Sequence, residues 1–239
     1  MDRTLNFIVF FVCVFLLILS AWLCYRIVEE QRASDAYVER YVSWLNAAQE
    51  MHNASEFLTF QARQYALSLN PSHIHKYLSE VYNNRSRENS LKILYDTNAD
   101  KPAGSEHLVT ALENSVILAK KEQYALRLLA EASGTDLSDL QDLVKNAHLT
   151  SADRELDRDG RLKRARDLLF DSTYNQEQRE ILDPIHRFEE ASNQAMLRAR
   201  KEYSDHIGTL AMELQFSLAL LFVCAVFFIA RMQTQQVHF

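Results

Sequence analysis

Residues Tyr37–Asn70 read YVERYVSWLNAAQEMHNASEFLTFQARQYALSLN. Steps of three and four along this stretch select Tyr37, Tyr41, Trp44, Ala48, Met51, Ser55, Leu58, Ala62, Tyr65 and Leu69. Nine of these ten are apolar or aromatic, with Ser55 the exception. A stripe that returns every 3.5 residues marks a helix packed against other helices, because about 3.6 residues per turn keep such positions on one face. A half-buried strand would alternate with period two, and this stretch does not. Asn70-Pro71 closes it, since proline disfavours the helical conformation in the residue before it. The chain of 239 residues holds only four glycines and three prolines, too few punctuating residues for a strand-and-turn fold.

The same period extends outward. A second helix is expected over about Ser72–Tyr95, followed by a loop, DTNADKPAGS, around Pro102 and Gly104. A third, about Glu106–Ala132, places Leu108, Leu112, Ser115, Ala119, Glu122, Leu126 and Leu129 on one stripe, and Gly134 ends it. Shorter helical pieces are expected from Asp136 to Phe170, broken near Thr150 and Gly160. A last helix starts between Asn175 and Pro184. By the helical rise, Arg26–Leu69 is about 66 Å long and the two middle helices about 36–41 Å. Short connections make neighbours antiparallel, so the middle helices can pack beside only part of the first and last. The expected fold is all-α: an elongated antiparallel four-helix bundle on a long helical stalk, flanked by two transmembrane helices. The stalk helices lack partners of their own, which calls for a parallel homodimer.

Both ends are apolar. Phe7–Tyr25 and Leu214–Ala230 each rise about 25–28 Å, close to the ~30 Å hydrocarbon core of a bilayer. The first run is longer than a signal-peptide h-region and no small-x-small cleavage site follows Ala21, so an uncleaved anchor is expected. Each short tail carries one arginine, Arg3 or Arg231, which favours both tails in the cytoplasm and the middle outside. The expected organisation is a cytoplasmic tail 1–6, a span 7–25, an extracytoplasmic helical domain 26–206, a span 207–230 and a cytoplasmic tail 231–239. The three cysteines, Cys13, Cys24 and Cys224, lie in or beside the spans, which excludes a disulfide-stapled middle domain. A net charge of −6 excludes the basic surface that nucleic acid requires.

Ser115 and Glu122 stand out on the apolar stripe of the third helix. A buried carboxylate is costly unless paired. Two readings follow: a structural polar layer, or a ligand pocket or register-setting layer that can shift. Arg63 falls opposite Tyr77 to Glu80 across the first hairpin, and Arg85 and Arg87 fall opposite Asn53 to Ser55. Arginine beside tyrosine and asparagine can clamp a carboxylate or phosphate, with an Arg63–Glu80 surface pair as the alternative. The candidate ligand-binding residues are therefore Arg63, Tyr77, Arg85, Arg87, Ser115 and Glu122.

No catalytic residue, metal ligand or cofactor site is expected. ELDRDGRLKRAR, started at Glu155, places Asp157, Asp159 and Gly160 as in a calcium loop, but Arg166 occupies the position that needs a bidentate glutamate. His73 and His75, two apart on a helix, point about 200° from each other and cannot share one ion. Gly-rich phosphate loops, HExxH, nucleophile elbows and kinase signatures do not occur.

Three further stretches resemble the extracytoplasmic helical input regions of bacterial transmembrane receptors, namely chemoreceptors, sensor histidine kinases and diguanylate cyclases. ARQYALSLNPSHIHKYLSEVYNNRSRENSLKIL is similar to the first hairpin of that family. LVTALENSVILAKKEQYAL is similar to its third helix, with Ser115 and Glu122 at the expected places. ARDLLFDSTYNQEQREILDPIHRF is similar to the turn and Pro-Ile-x-x-Phe opening of its last helix. Ser138 to Arg158 departs from the pattern. The resemblance implies a sensor in the bacterial inner membrane that binds a small molecule or periplasmic protein. It would pass a helix shift to a cytoplasmic output, a diguanylate cyclase or histidine kinase, expected beyond Phe239. The rival expectation is a structural or adaptor membrane protein with a dimeric coiled-coil ectodomain and no ligand.

Overall fold

The chain closes its helices with local side-chain bonds. Leu69 turns into the left-handed region at φ 54°, and the Asn70 Oδ1 atom then accepts the Ser72 N–H at 3.0 Å, with Pro71 in the first helical position. The computed structural model describes residues 2–95, 101–136 and 140–236. The protein is all-α. In chain order the elements are α1 Asp2–Ser68, α2 Pro71–Ser79, a π-turn Glu80–Asn84, α3 Ser86–Tyr95, α4 Ser105–Ser133, α5 Asp142–Lys145, α6 Ser151–Arg154, α7 Arg158–Phe170 and α8 Ser172–Gln236. The expected loop at Asp96–Asp100, residues 137–139 of the departing segment, and the last residues of the C-terminal tail lie outside the described residues.

The seam of the first helix packs as its period requires. Tyr41, Trp44, Ala48, Met51, Ser55, Leu58, Ala62 and Tyr65 are all buried. Trp44, Ala48, Met51, Leu58, Ala62 and Tyr65 join Ile74, Tyr77 and Leu78 of α2, Leu108, Leu126 and Leu129 of α4, Leu169 of α7, and Tyr174, Ile181, Ile185 and Phe188 of α8 in one core. Gly134, at φ 74°, caps α4 as expected by donating its N–H to the Ala130 carbonyl.

Three expectations are corrected. The second helix is not continuous from Ser72 to Tyr95. The buried Glu80 carboxylate reaches forward to accept the Ser86 N–H (3.1 Å) and the Asn84 Nδ2 (2.9 Å), so it caps a new helix. The backbone accommodates this with a π-turn, closed by Arg85 N–H to Glu80 O at 2.8 Å, and with Arg85 at φ 51°. Second, the break expected near Gly160 falls just before it, between Arg154 and Arg158; Gly160 itself sits in the first turn of α7, where its N–H satisfies the Asp157 cap at 2.8 Å. Third, the last helix begins at Ser172, ahead of the expected window, and Pro184 lies inside it. Proline has no N–H for the Glu180 carbonyl one turn back. Asn114 Nδ2 of α4 donates to that carbonyl at 2.8 Å, so the helix continues.

Two compact units divide the chain: Met1–Arg40 with Ala195–Phe239, and Tyr41–Gln194. Within the first, α1 and α8 each contain a window apolar and long enough to cross a membrane, and only 17% and 6% of those windows are buried. Ser20 Oγ and Ser217 Oγ share a hydrogen bond at 2.9 Å between them. The second unit holds the core described above.

Candidate functional site

Glu122 lies in the middle of α4, only 2% exposed, two turns beyond Ser115 on the same face. Helical period therefore aims both at the interior of the Tyr41–Gln194 unit. Hydroxyls from three other helices converge on the carboxylate. Tyr77 of α2 donates to Oε2 at 2.8 Å, Tyr174 of α8 donates to Oε1 at 2.5 Å, and Thr59 of α1 donates to Oε1 at 3.3 Å. Tyr174 and Thr59 hydroxyls also lie 3.2 Å apart. Arg87 of α3, itself buried, donates from Nη1 to Ser115 Oγ at 2.6 Å and has Glu88 at 3.8 Å.

Arg63 stands at the edge of this layer. Its Nε donates to the Leu169 carbonyl at 2.9 Å, which belongs to the unpaired last turn of α7. Its Nη2 donates to Asn175 Oδ1 at 2.6 Å, and the guanidinium lies 4.7 Å from the centre of the Tyr174 ring and 5.3 Å from that of Phe170. Arg166 answers from α7, donating to the Ala66 carbonyl in the last turn of α1 at 2.9 Å.

The electrostatics follow from burial. Loss of water pushes the Glu122 pKa above the ordinary carboxylate value, against the opposing pull of Tyr174, Tyr77, Arg87 and Thr59. Burial, and then the charge of Glu122, push both Tyr77 and Tyr174 upward. The phenols therefore remain protonated donors. Across the unit, Asp153 is held below its ordinary value, chiefly by the Tyr124 hydroxyl and in part by Arg164.

Of the expected residues, Tyr77, Arg87, Ser115 and Glu122 meet in one layer and Arg63 adjoins it through Tyr174. Arg85 does not: it is exposed, in the left-handed position after the π-turn. The Arg63–Glu80 pair is also overturned, because Arg63 bonds Leu169 and Asn175 while Glu80 caps α3. Arg87 reaches Ser115, not the stretch Asn53 to Ser55. Thr59, Tyr174 and Asn175 were not among the expected residues. Thr59 stands one position off the seam residue Leu58 and so lies off the stripe, and Tyr174 and Asn175 lie in the stretch similar to the opening of the family's last helix.

This arrangement can store one negative charge or one proton at a point where four helix segments meet. Among the described residues no group of three histidine, cysteine, aspartate or glutamate side chains is placed to hold a metal. Cavities of about 650, 440 and 460 Å³ open on the surface of the unit, and none of the three is lined by Glu122 or its hydroxyl partners. No family model, curated protein or solved structure matches the chain.

Proposed function

We propose that this chain is the signal-input module of a bacterial membrane receptor. Spans 7–25 and 207–230 cross the inner membrane, residues 26–206 face outward, and tails 1–6 and 231–239 are cytoplasmic. α1, the α2–α3 segment, α4 and α8 act as an antiparallel four-helix bundle. An extracytoplasmic small molecule or protein biases its packing, and the response crosses the membrane as a helix shift of about 1–2 Å to a cytoplasmic output. The chain itself does no catalysis.

One observation carries the reading. α1 and α8 contain the two exposed apolar windows, and the same two helices supply Thr59, Arg63, Tyr174 and Asn175 to the Glu122 layer. A change in that layer acts on the helices that hold the spans. Exposed Val38 and Val42, one turn apart on α1, support a parallel homodimer along the stalk. A ligand-free adaptor is favoured by a different observation, that both oxygens of Glu122 already have donors within the chain.

Topology tests the reading first. In a chain whose native cysteines are replaced by alanine, Glu113→Cys, at an exposed position of α4, should react with a membrane-impermeant maleimide in intact bacteria. Gln233→Cys should react only after lysis. Labelling of Gln233→Cys alone in intact cells would reverse the topology and end the proposal.

A further inference from the structure

Basic side chains of this acidic chain border one groove at α4, α5 and α6. The groove, of about 440 Å³, is lined by Arg127, Lys145, His148 and Arg154, with Glu131 as the acidic side chain among its lining residues. Counting Arg127, Lys145 and Arg154 against Glu131 gives a local charge of +2 with the histidine neutral, in a chain whose net charge is −6. Glu131 is already shared, lying 2.7 Å from Arg127 Nε and 3.4 Å from Arg161 Nη1. Lys145, His148 and Arg154 are exposed, and their side chains make no ion pair among the described residues.

The groove is held in shape by the chain. Arg127 Nη1 donates to the Lys145 carbonyl, which ties the α5 end to α4. Arg161 Nη2 donates to the Arg154 carbonyl at 2.7 Å, which ties α6 to α7. Thr150 N–H donates to the Tyr124 hydroxyl at 3.1 Å, and Leu149 is buried beneath the rim. The two arginines that carry Glu131 are thus occupied with fixing the backbone. Lys145, His148 and Arg154 are left facing water, and the lysine and arginine have no ion-pair partner among the described residues. Unpaired cations held close together repel one another, and a small anion with two or more negative charges relieves that repulsion while accepting charge-assisted hydrogen bonds. The volume admits a molecule of a few to a dozen heavy atoms.

We propose that this groove binds a small multiply charged anion bearing carboxylate or phosphate groups, with Lys145, His148 and Arg154 as its ligand-contacting residues. In the input-module reading this anion is the stimulus class, and that consequence rests on that reading; the binding does not.

Isothermal titration of the full chain in detergent micelles, at constant ionic strength, tests it with two probes, citrate and inorganic phosphate. At least one binds with one site per chain, and hydrogen exchange slows over Lys145–Arg154 when it is added. The double change Lys145→Glu with Arg154→Glu weakens binding by at least about tenfold, because attractive contacts become repulsive ones. Arg198→Glu, on the exposed part of α8, changes it by less than about twofold. Helicity and the unfolding midpoint without probe show that the double variant is folded. If neither probe binds, or if the double change leaves the dissociation constant unaltered, the site is refuted. Citrate alone binding identifies carboxylates as the ligand chemistry and phosphate alone identifies phosphate. A negative titration with outward-facing Glu113→Cys refutes the groove and leaves the input module standing, and the converse result does the reverse.

Discussion

Replacing Tyr77 by phenylalanine and Glu122 by leucine, singly and together, separates a mutually dependent polar layer from a set of independent contacts. Among the described residues Tyr77 is the sole hydroxyl donor to Glu122 Oε2, at 2.8 Å, and both groups are buried. Tyr77→Phe removes a hydrogen bond to a charged group and leaves that oxygen without a donor, a loss of about 1.5–3 kcal/mol. Glu122→Leu strands the Tyr77 hydroxyl, at about 1–3 kcal/mol, while Arg87 keeps Glu88 at 3.8 Å. Tyr174 and Thr59 lose less, because their hydroxyls lie 3.2 Å apart and still satisfy each other. In the double variant the stranded hydroxyl is gone along with the carboxylate. Its stability should therefore be no lower than that of Glu122→Leu alone, a coupling of about 1–3 kcal/mol. Urea unfolding of the full chain in micelles, followed by circular dichroism, measures all four corners of the cycle. Losses that simply add would show that Tyr77 and Glu122 contribute separately and that the layer is not a unit.

Three other outcomes are expected. Glu122 binds its proton more tightly in the folded state, so its contribution to stability is full below its ordinary value of 4.5 and is lost as pH rises through the raised folded value; that falling slope should vanish in Glu122→Gln when unfolding is repeated across pH. Asn114→Ala leaves the Glu180 carbonyl opposite Pro184 without its donor and should cost about 1 kcal/mol by the same assay, with hydrogen exchange faster around Pro184. Gly104 sits at φ +78° with the nearest Ala191 carbon 2.9 Å from where a Cβ would stand, so Gly104→Ala should lower the unfolding midpoint by an amount equivalent to about 1–3 kcal/mol.

The periodic part of this protein was legible in its sequence. The 3.5-residue stripe of α1 and the stripe of α4 name the α1 and α4 sides of the buried core, and two polar residues on the α4 stripe, Ser115 and Glu122, point to the interior. Three of the misses share a physical cause, a side chain from elsewhere satisfying a backbone group. Glu80 caps α3 across a π-turn that no propensity announces. Pro184 looks like a helix boundary until Asn114 supplies the missing donor. Arg63 faces α7 because the end of that helix has carbonyls to satisfy, and the hairpin geometry alone placed it opposite Glu80. Thr59 was invisible because it flanks the seam, where a hydroxyl is as compatible with water as with a buried carboxylate.

In the proposed reading the Glu122 layer is linked to the apolar ends of α1 and α8. Spin labels at Arg32→Cys on α1 and Glu202→Cys on α8, both exposed positions of the Met1–Arg40 and Ala195–Phe239 unit, report on those ends. Double electron–electron resonance on the full chain in bilayers, compared with the same pair carrying Tyr174→Phe, should show the distance distribution shifted by about 1–2 Å. An unchanged distribution, in a variant whose Tyr41–Gln194 unit remains folded, would contradict the link.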